Sequence, residues 1–346
     1  VTNERPSLRR VADGVDVVRL TSASGLTVNA YRWVVRDTVI LVDAGFPTTH
    51  ANFRAAFLGG EELAPQAIFY THSHEDHMGG GAALGPELGC PAYVRRGTTP
   101  AFGNFYDYYD RPEHWDAWYA TVLPKGPAHD EVQRLRRLSR ATVPVRAGGT
   151  GVIHAPHPVD IGDVVRCGDV ALTCLDAAGH DQWHVAWYDE ERRWLFTGDV
   201  LLGVPTPVMS ALGDSMRAYR TTLRRWQAGP EVALFLPGHG RPSTDFGGAV
   251  ARSLGFLEFG YVMMVAAFDA ARDVIDPAAF AARVGDGDRR RMFLSLTNLI
   301  SQLEELASLG LVRLRADRCW ERLRALPSFD TLDACYGQGP WAKPTG

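Results

Sequence analysis

The stretch Thr71-His72-Ser73-His74-Glu75-Asp76-His77 places three imidazoles and two carboxylates within six residues, and Met78-Gly79-Gly80-Gly81 follows at once. In a plain core these groups would desolvate and repel one another. Around cations they become a donor set, because imidazole nitrogen and carboxylate oxygen suit zinc, iron and manganese. The four residues ahead, Ala67-Ile68-Phe69-Tyr70, read as a buried strand. That strand delivers the cluster to its carboxyl end, where α/β sheets usually form their sites.

Three further strand ends present the same kinds of group. Ala178-Gly179-His180-Asp181 follows an apolar strand at 170–176, Phe196-Thr197-Gly198-Asp199 ends another, and Leu236-Pro237-Gly238-His239-Gly240 ends a third. Each strand breaks at glycine, where the backbone turns tightly, and each presents a histidine or aspartate. One such break is ordinary structure. Three of them downstream of the cluster point to a single site.

The elements that position these groups are legible from patterning. Residues 15–43 alternate apolar and polar about a turn at Gly25 and read as strands of a mixed or antiparallel sheet. A helix is expected at 49–58, a helix from Gly80, and a short strand near Pro91–Val94. Strands return at Val164–Arg166, Val170–Asp176, His184–Tyr188, Trp194–Thr197 and Val232–Leu236, with helices at about 214–227 and 244–271. Two strand blocks, each followed by helices, predict α/β architecture: two sheets face to face with helices outside, a four-layer αββα sandwich.

Residues 95–157 interrupt this plan with an aromatic burst and an Arg-rich helix carrying Arg134, Arg136, Arg137 and Arg140. They read as a lid or insertion over the site, with Tyr106, Tyr109 and Trp115 as candidate pocket residues beside Trp183. Residues 1–275 form the expected catalytic domain, 276–326 a helical appendix ending in a hairpin, and 327–346 a Pro- and Gly-rich tail expected to be loosely held.

The chain of 346 residues is 46% apolar, enough for a sizeable core, and carries a net charge of −4. That balance argues against nucleic acid as a partner. Five cysteines without a Cys-x-x-Cys pair indicate neither a disulfide framework nor a zinc knuckle, and a cytoplasmic setting is expected. No uninterrupted apolar run approaches the roughly 20 residues of a membrane span, so no membrane association is expected. No signal peptide is read, and the start at Val1 leaves a removed leader open.

The series His-x-His-x-Asp-His, Gly-His, Gly-Asp, Gly-His, each after a strand, resembles the metallo-β-lactamase-fold hydrolase superfamily, in its glyoxalase II and lactamase-like branch. The resemblance spans roughly residues 15–250 and implies the αββα fold. It implies that His72, His74 and His180 hold a first metal ion, that Asp76, His77 and His239 hold a second, and that Asp199 bridges both. Asp43 resembles the family's supporting aspartate, and His184 is expected to support or lie buried behind the ligands. Many relatives read Gly-His-Thr-Pro-Gly-His or -Ser where this chain reads Gly179-His180-Asp181-Gln182-Trp183-His184. The larger side chains should reshape one wall, and Asp181 is weighed as a competing ligand. The appendix resembles the winged-helix-like extension of some lactamase-like hydrolases.

These residues imply two divalent metal ions, zinc first with manganese or iron as alternatives, sharing a hydroxide that attacks an acyl centre. Asp76 and Asp199 are the expected catalytic carboxylates, positioning the nucleophile and taking its proton. With no evident acid for an amine leaving group, the expected substrate is a small-molecule or carrier-bound activated acyl group, a thioester (acyl-coenzyme A or carrier-bound) or a lactone. The alternatives are a mononuclear iron oxygenase of the same fold, a nuclease, or a winged-helix DNA-binding protein. The spaced leucines Leu294, Leu299, Leu303 and Leu306 already explain the appendix helix as a packing element, and a homodimer is preferred to DNA binding as a further role.

Overall fold

The computed structural model describes residues 8–22, 25–58, 63–84, 87–109, 130, 151–153, 155–202, 215–286 and 288–337. Seven strands form the first sheet in chain order: β1 (Leu8–Ala12), β2 (Val15–Thr21), β3 (Thr27–Val35), β4 (Thr38–Val42), β5 (Ala67–Phe69), β6 (Ala92–Arg95) and β7 (Pro156–Val159). β1 to β4 pair antiparallel, and β4 to β7 pair parallel. The second sheet contains β8 (Val164–Cys167), β9 (Val170–Asp176), β10 (Val185–Asp189), β11 (Trp194–Gly198) and β12 (Leu234–Pro237), in the order β12-β11-β10-β9-β8. Only β11 and β12 run parallel there.

Side chains alternate across each strand, and the alternation builds three apolar layers. Tyr31, Trp33, Ile40, Val42 and Phe69 of the first sheet meet Leu172, Val185, Trp187, Phe196 and Leu236 of the second between the sheets. The opposite face of the first sheet, with Val28, Ala30, Leu41 and Ile68, packs on α1 (His50–Phe57) and α2 (Glu75–Leu84). The outer face of the second sheet packs on α4 (Met216–Ala228) and α5 (Phe246–Ala270). These are the four layers that the strand blocks predict.

Three expectations are corrected. α2 starts at Glu75 rather than Gly80. Its first turn carries Glu75 and Asp76, and acidic groups suit a helix N-terminus. The glycines sit inside the helix because it lies against the loop after β4; a Cβ on Gly80 would come within 2.0 Å of the Ala44 carbonyl oxygen. Strand β1 was not anticipated. The tail is not loose as far as Gly337: Phe329 and Leu332 are buried in the core, and Asp333 pairs with Arg220 and Arg224.

The C-terminal region adds β13 (Val274–Ile275), α6 (Pro277–Gly285), α7 (Arg289–Ser308), β14 (Val312–Leu314) and β15 (Trp320–Arg322), with the three strands in the order β13-β15-β14. Leu299, Leu303 and Leu306 of α7 share one apolar cluster with α4 and α5. Arg313 pairs with Glu321, and Arg315 with Asp317. α5 is long and apolar enough to cross a membrane by length and composition. It has no uninterrupted apolar run because Arg252, Glu258 and Asp269 punctuate it, and Val250, Leu257, Met264 and Phe268 seat it in the core.

Of the insertion, Arg96–Phe102 is a 3₁₀ segment and α3 covers Phe105–Tyr109. Phe102, Phe105 and Tyr106 join the apolar layer outside the first sheet. Trp115, the Arg134–Arg140 cluster and the side chain of Tyr109 lie outside the described residues.

Candidate metal centre

Five strand ends meet along one edge of the sandwich. β4 and β5 run parallel. β9 and β11 share a direction because both are antiparallel to β10, and β12 follows β11. The two sheets are tied at this edge by Val185 N donating to the Thr71 carbonyl at 2.9 Å. The loops after β4, β5, β9, β11 and β12 therefore bring Asp43, residues 71–77, His180, Asp199 and His239 together.

Two groups of donor atoms result. His72, His74 and His180 form the first, and Asp76, His77, Asp199 and His239 the second; within each, one donor atom per residue lies within 4.8 Å of the others. His180 Nε2 is 2.9 Å from His74 Nδ1. In the second group, His77 Nε2 is 3.2 Å from Asp199 Oδ1 and 3.7 Å from Asp76 Oδ2. His239 Nε2 is 3.1 Å from Asp76 Oδ2 and 3.2 Å from Asp199 Oδ2. That same Asp199 Oδ2 reaches His180 Nε2 of the first group at 3.5 Å. Asp199 thus stands between the two groups.

The network around the ligands sets which nitrogen faces the centre. His77 Nδ1 donates to Asp43 Oδ2 at 2.7 Å. Thr71 Oγ1 donates to the same oxygen at 2.9 Å, which leaves the hydroxyl to accept from His72 Nδ1 at 3.0 Å. His239 Nδ1 donates to the Thr27 carbonyl. All three rings therefore turn Nε2 toward the cluster. The buried atoms His72 Nε2, His77 Nε2 and Asp199 Oδ1 have no hydrogen-bond partner among the described residues. Buried polar atoms left in this way are rare, and here they converge. Gly238 keeps the space open: a Cβ there would lie 2.3 Å from Asp199 Oδ1 and 2.6 Å from His77 Cε1.

Electrostatics divide the groups. Burial first, and then neighbouring imidazoles, lowers His72 and His74 well below the ordinary histidine value, so both are neutral donors. In the second group burial opposes charge, yet Asp199 and Asp76 overcome it and raise His77 well above its ordinary value and His239 to about 10. Reciprocally, His77 and His239 outweigh burial and hold Asp76 down at about 2 and Asp199 well below the usual carboxylate range. The carboxylates therefore demand positive charge at this point, which a divalent cation meets. Neutral imidazoles in one group and ionised carboxylates in the other are a donor set that fits two such cations.

Asp43 organises both groups from behind. Its Oδ1 accepts from Thr71 N at 2.9 Å, in addition to the two bonds at Oδ2. It holds φ +58°, uncommon outside glycine but tolerated by aspartate, and kept here by three hydrogen bonds. Asp43→Asn sets an amide donor against the His77 and Thr71 donors. Metal affinity is expected to fall by roughly 10–100-fold, measured by competition with a chromophoric chelator; an unchanged affinity would refute the role.

The other expected residues are placed as follows. His184 is buried and neutral, its Nε2 accepts from Asp199 N at 3.0 Å, and its ring stacks on His72 at 4.4 Å. Asp181 does not join either donor group and turns instead to Ser73 Oγ and Trp183 N. Trp183 is half-buried, packed on Gly97 with the Arg95 guanidinium 5.3 Å from its ring centre. Tyr106 is buried at 8% exposure against Gly151, so it belongs to the core rather than to an open pocket wall. Sequence reasoning missed Asn29, Tyr31, Thr71 and Ser73. Asn29 Nδ2 and Tyr31 OH donate to the Pro237 carbonyl at 2.9 and 2.7 Å and so hold the loop carrying His239. No local signal singles out Asn29, which shares its strand with the polar residues Thr27 and Arg32.

The model of the metallo-beta-lactamase superfamily matches residues 23–239. An atrochrysone carboxyl ACP thioesterase of Paecilomyces divaricatus is 36% identical over 101 residues, 29% of this chain and 31% of that protein. A hydroxyacylglutathione hydrolase of Bdellovibrio bacteriovorus is 26% identical over 148 residues, 43% of this chain and 39% of that protein. The chain thus spans less than half the length of these curated relatives. The crystal structure of a metallo-beta-lactamase family protein from Thermus thermophilus aligns with a TM-score of 0.67 at 20% identity, over 90% of this chain and 100% of that one, a likeness of fold.

Proposed function

The chain belongs to the metallo-beta-lactamase superfamily, and from that membership and the site's geometry we propose that it is a dinuclear metal-dependent hydrolase of activated acyl groups, with thioesters the first substrate class and lactones the second. One observation carries the reading: seven donor side chains from four loops converge, and a single carboxylate, Asp199, reaches both groups. The first ion falls to His72, His74 and His180, the second to Asp76, His77 and His239, with zinc the first choice of metal. When bound, two such ions supply a Lewis acid for the acyl oxygen and acidify water to near neutral pH.

The chain's own residues do the remainder. Asp76 and Asp199, both ionised, orient the attacking water and take its proton. Asp43 fixes His77 and, through Thr71, His72. The water oxygen bonds to the acyl carbon as the carbon–sulfur bond breaks, and the thiolate leaves with the electron pair.

Leaving-group chemistry favours sulfur. His184 is neutral and its Nε2 is engaged by Asp199 N, and Tyr106 is buried in the core, with its hydroxyl raised to about 12 by burial. Neither is placed to protonate an amine. A thiol ionises near pH 8–9 and departs without such help. The names of the two relatives agree, since a carrier-bound acyl group and a hydroxyacylglutathione are both thioesters.

The zinc- or manganese-loaded protein is expected to release thiol from acyl-coenzyme A, acyl-carrier or S-acylglutathione substrates with kcat of the order of 1–10³ s⁻¹. Thiol release is followed with a disulfide reagent, alongside lactone and β-lactam panels. No turnover of thioesters or lactones by protein verified to hold metal would reject the substrate class.

A further inference from the structure

We propose that the outer face of α5 is a self-association surface, on which a second copy of this chain packs its own α5 antiparallel about a two-fold axis. The proposal goes beyond the reaction at the metal centre and does not depend on it.

One side of α5 is committed to the core through Leu257, Tyr261, Met264 and Phe268. The other side carries Arg252, Gly255, Phe259, Val262, Ala266 and Asp269, and all six are exposed. They recur at alternating intervals of three and four residues, which is the spacing of a coiled-coil seam. Phe259 and Val262 at its centre are 60% and 54% exposed, with Met263 beside them at 36%. Single exposed apolar side chains are ordinary; a continuous set along one helix face marks a contact surface.

Self-complementarity identifies the occupant, because a two-fold interface presents the same patch from both sides. With the axis level with the midpoint of Phe259 and Val262, antiparallel helices bring together positions equally far from that midpoint. Phe259 then meets the partner's Val262. Gly255 meets the partner's Ala266, so the backbones can approach closely, and a Cβ on Gly255 would find only open space. At both ends of the seam Arg252 meets the partner's Asp269. A parallel pair would instead set arginine on arginine and aspartate on aspartate. Each charge has a neighbour in its own chain, Arg252 in Asp245 at 2.9 Å and Asp269 in Arg322 at 2.5 Å. Their side chains are nevertheless 64% and 61% exposed, which leaves room for a second opposite charge. The same face is less suited to an anionic lipid surface, which Glu258 and Asp269 on the exposed side would repel. A seam of one helix is small against the about 800 Å² per partner of a standard interface. The dimer is therefore expected to dissociate on dilution.

Sedimentation velocity of the full chain across the micromolar range tests the surface. The wild type is expected to pass from monomer to dimer as concentration rises. Phe259→Asp should weaken the dimer roughly 30-fold or more, as loss of a central interface residue does. Arg252→Asp and Asp269→Arg should each weaken it alone, because like charges then meet at both ends. An equimolar mixture of those two variants should recover the dimer, since each end again pairs opposite charges. That recovery also shows that both variants are folded. A wild type that stays monomeric at every concentration overturns the proposal. So does a dimer that Phe259→Asp leaves unchanged, which places the interface elsewhere. A mixture no tighter than either charge variant alone, with circular dichroism matching wild type, overturns the antiparallel pairing. A monomer that floats with phosphatidylcholine–phosphatidylglycerol vesicles through Phe259 would make lipid the occupant and reject a second copy.

Discussion

Asp199→Ala is expected to lower thioester turnover by roughly a thousandfold or more and to remove at least one of two bound cations, with the fold intact. Asp199 is the one side chain that reaches both donor groups. Its loss therefore takes a ligand from each ion and a proton acceptor from the reaction. The fold should survive because the side chain is held by site groups alone: Oδ1 has no hydrogen bond among the described residues, and Oδ2 faces imidazoles. The backbone contact to His184 does not depend on the side chain. Without the carboxylate, His77 and His239 lose one of the charges that raise them and keep Asp76 as a partner, so the variant's stripped form leaves neither imidazole without a carboxylate. Elemental analysis, kcat/KM and circular dichroism on the same preparation check all three parts. Wild-type turnover with two ions bound would overturn the site.

Arg220→Ala carries the largest expected effect on stability, a loss of about 3–5 kcal/mol, or a Tm lower by on the order of 10 °C. Arg220 is fully buried on α4. It meets Glu305 of α7 through Nη2 at 2.7 Å and Nη1 at 3.2 Å, and Asp333 through Nε at 2.9 Å. Burial alone would lower its pKa, but those two carboxylates outweigh it and hold the charge. Tyr336 donates to Glu305 at 2.8 Å, so the C-terminal segment closes over the pair. Removing the guanidinium strands Glu305 without its counter-charge in the core. Arg220→Met with Glu305→Leu removes both charges and is expected to recover much of the loss, since isosteric apolar replacements of buried pairs are often near neutral. α4 also holds the third-ligand loop: Ser215 N donates to the Gly179 carbonyl and Thr222 Oγ1 to the Ala178 carbonyl, both at 2.8 Å. The alanine variant should therefore bind metal less tightly as well. Equilibrium denaturation of metal-loaded and stripped protein separates the two effects, and a change under about 1 kcal/mol would contradict this account of the clamp.

Most of the strands and the donor residues at their ends were legible because both signals are local. Alternation marks a strand within a few residues, and a glycine break followed by histidine or aspartate marks its end. What was not legible depends on contacts between distant segments. Nothing near residue 75 says that three glycines can lie inside a helix; that follows from the approach of Pro47 to Gly79, of the Ala44 carbonyl to Gly80 and of the Tyr70 hydroxyl to Gly81. The tail reads as loose from its prolines and glycines, yet Asp333 finds arginines on α4, over a hundred positions earlier. Asp181 illustrates the same limit within the site. Its neighbour His180 made it look like a ligand, whereas a hydroxyl on Ser73, 108 positions away, engages its carboxylate in the buried interior. Tyr106 was read by type as a pocket residue, and packing with Phe102 and Phe105 makes it core.

Titration of the metal-stripped chain with Zn²⁺, read by elemental analysis after desalting, tests the central claim most directly. Two ions per wild-type chain, with at least one absent from Asp199→Ala prepared in parallel, is the predicted result. Wild-type protein that retains no ion, or retains two equally well after Asp199 is replaced, would contradict it.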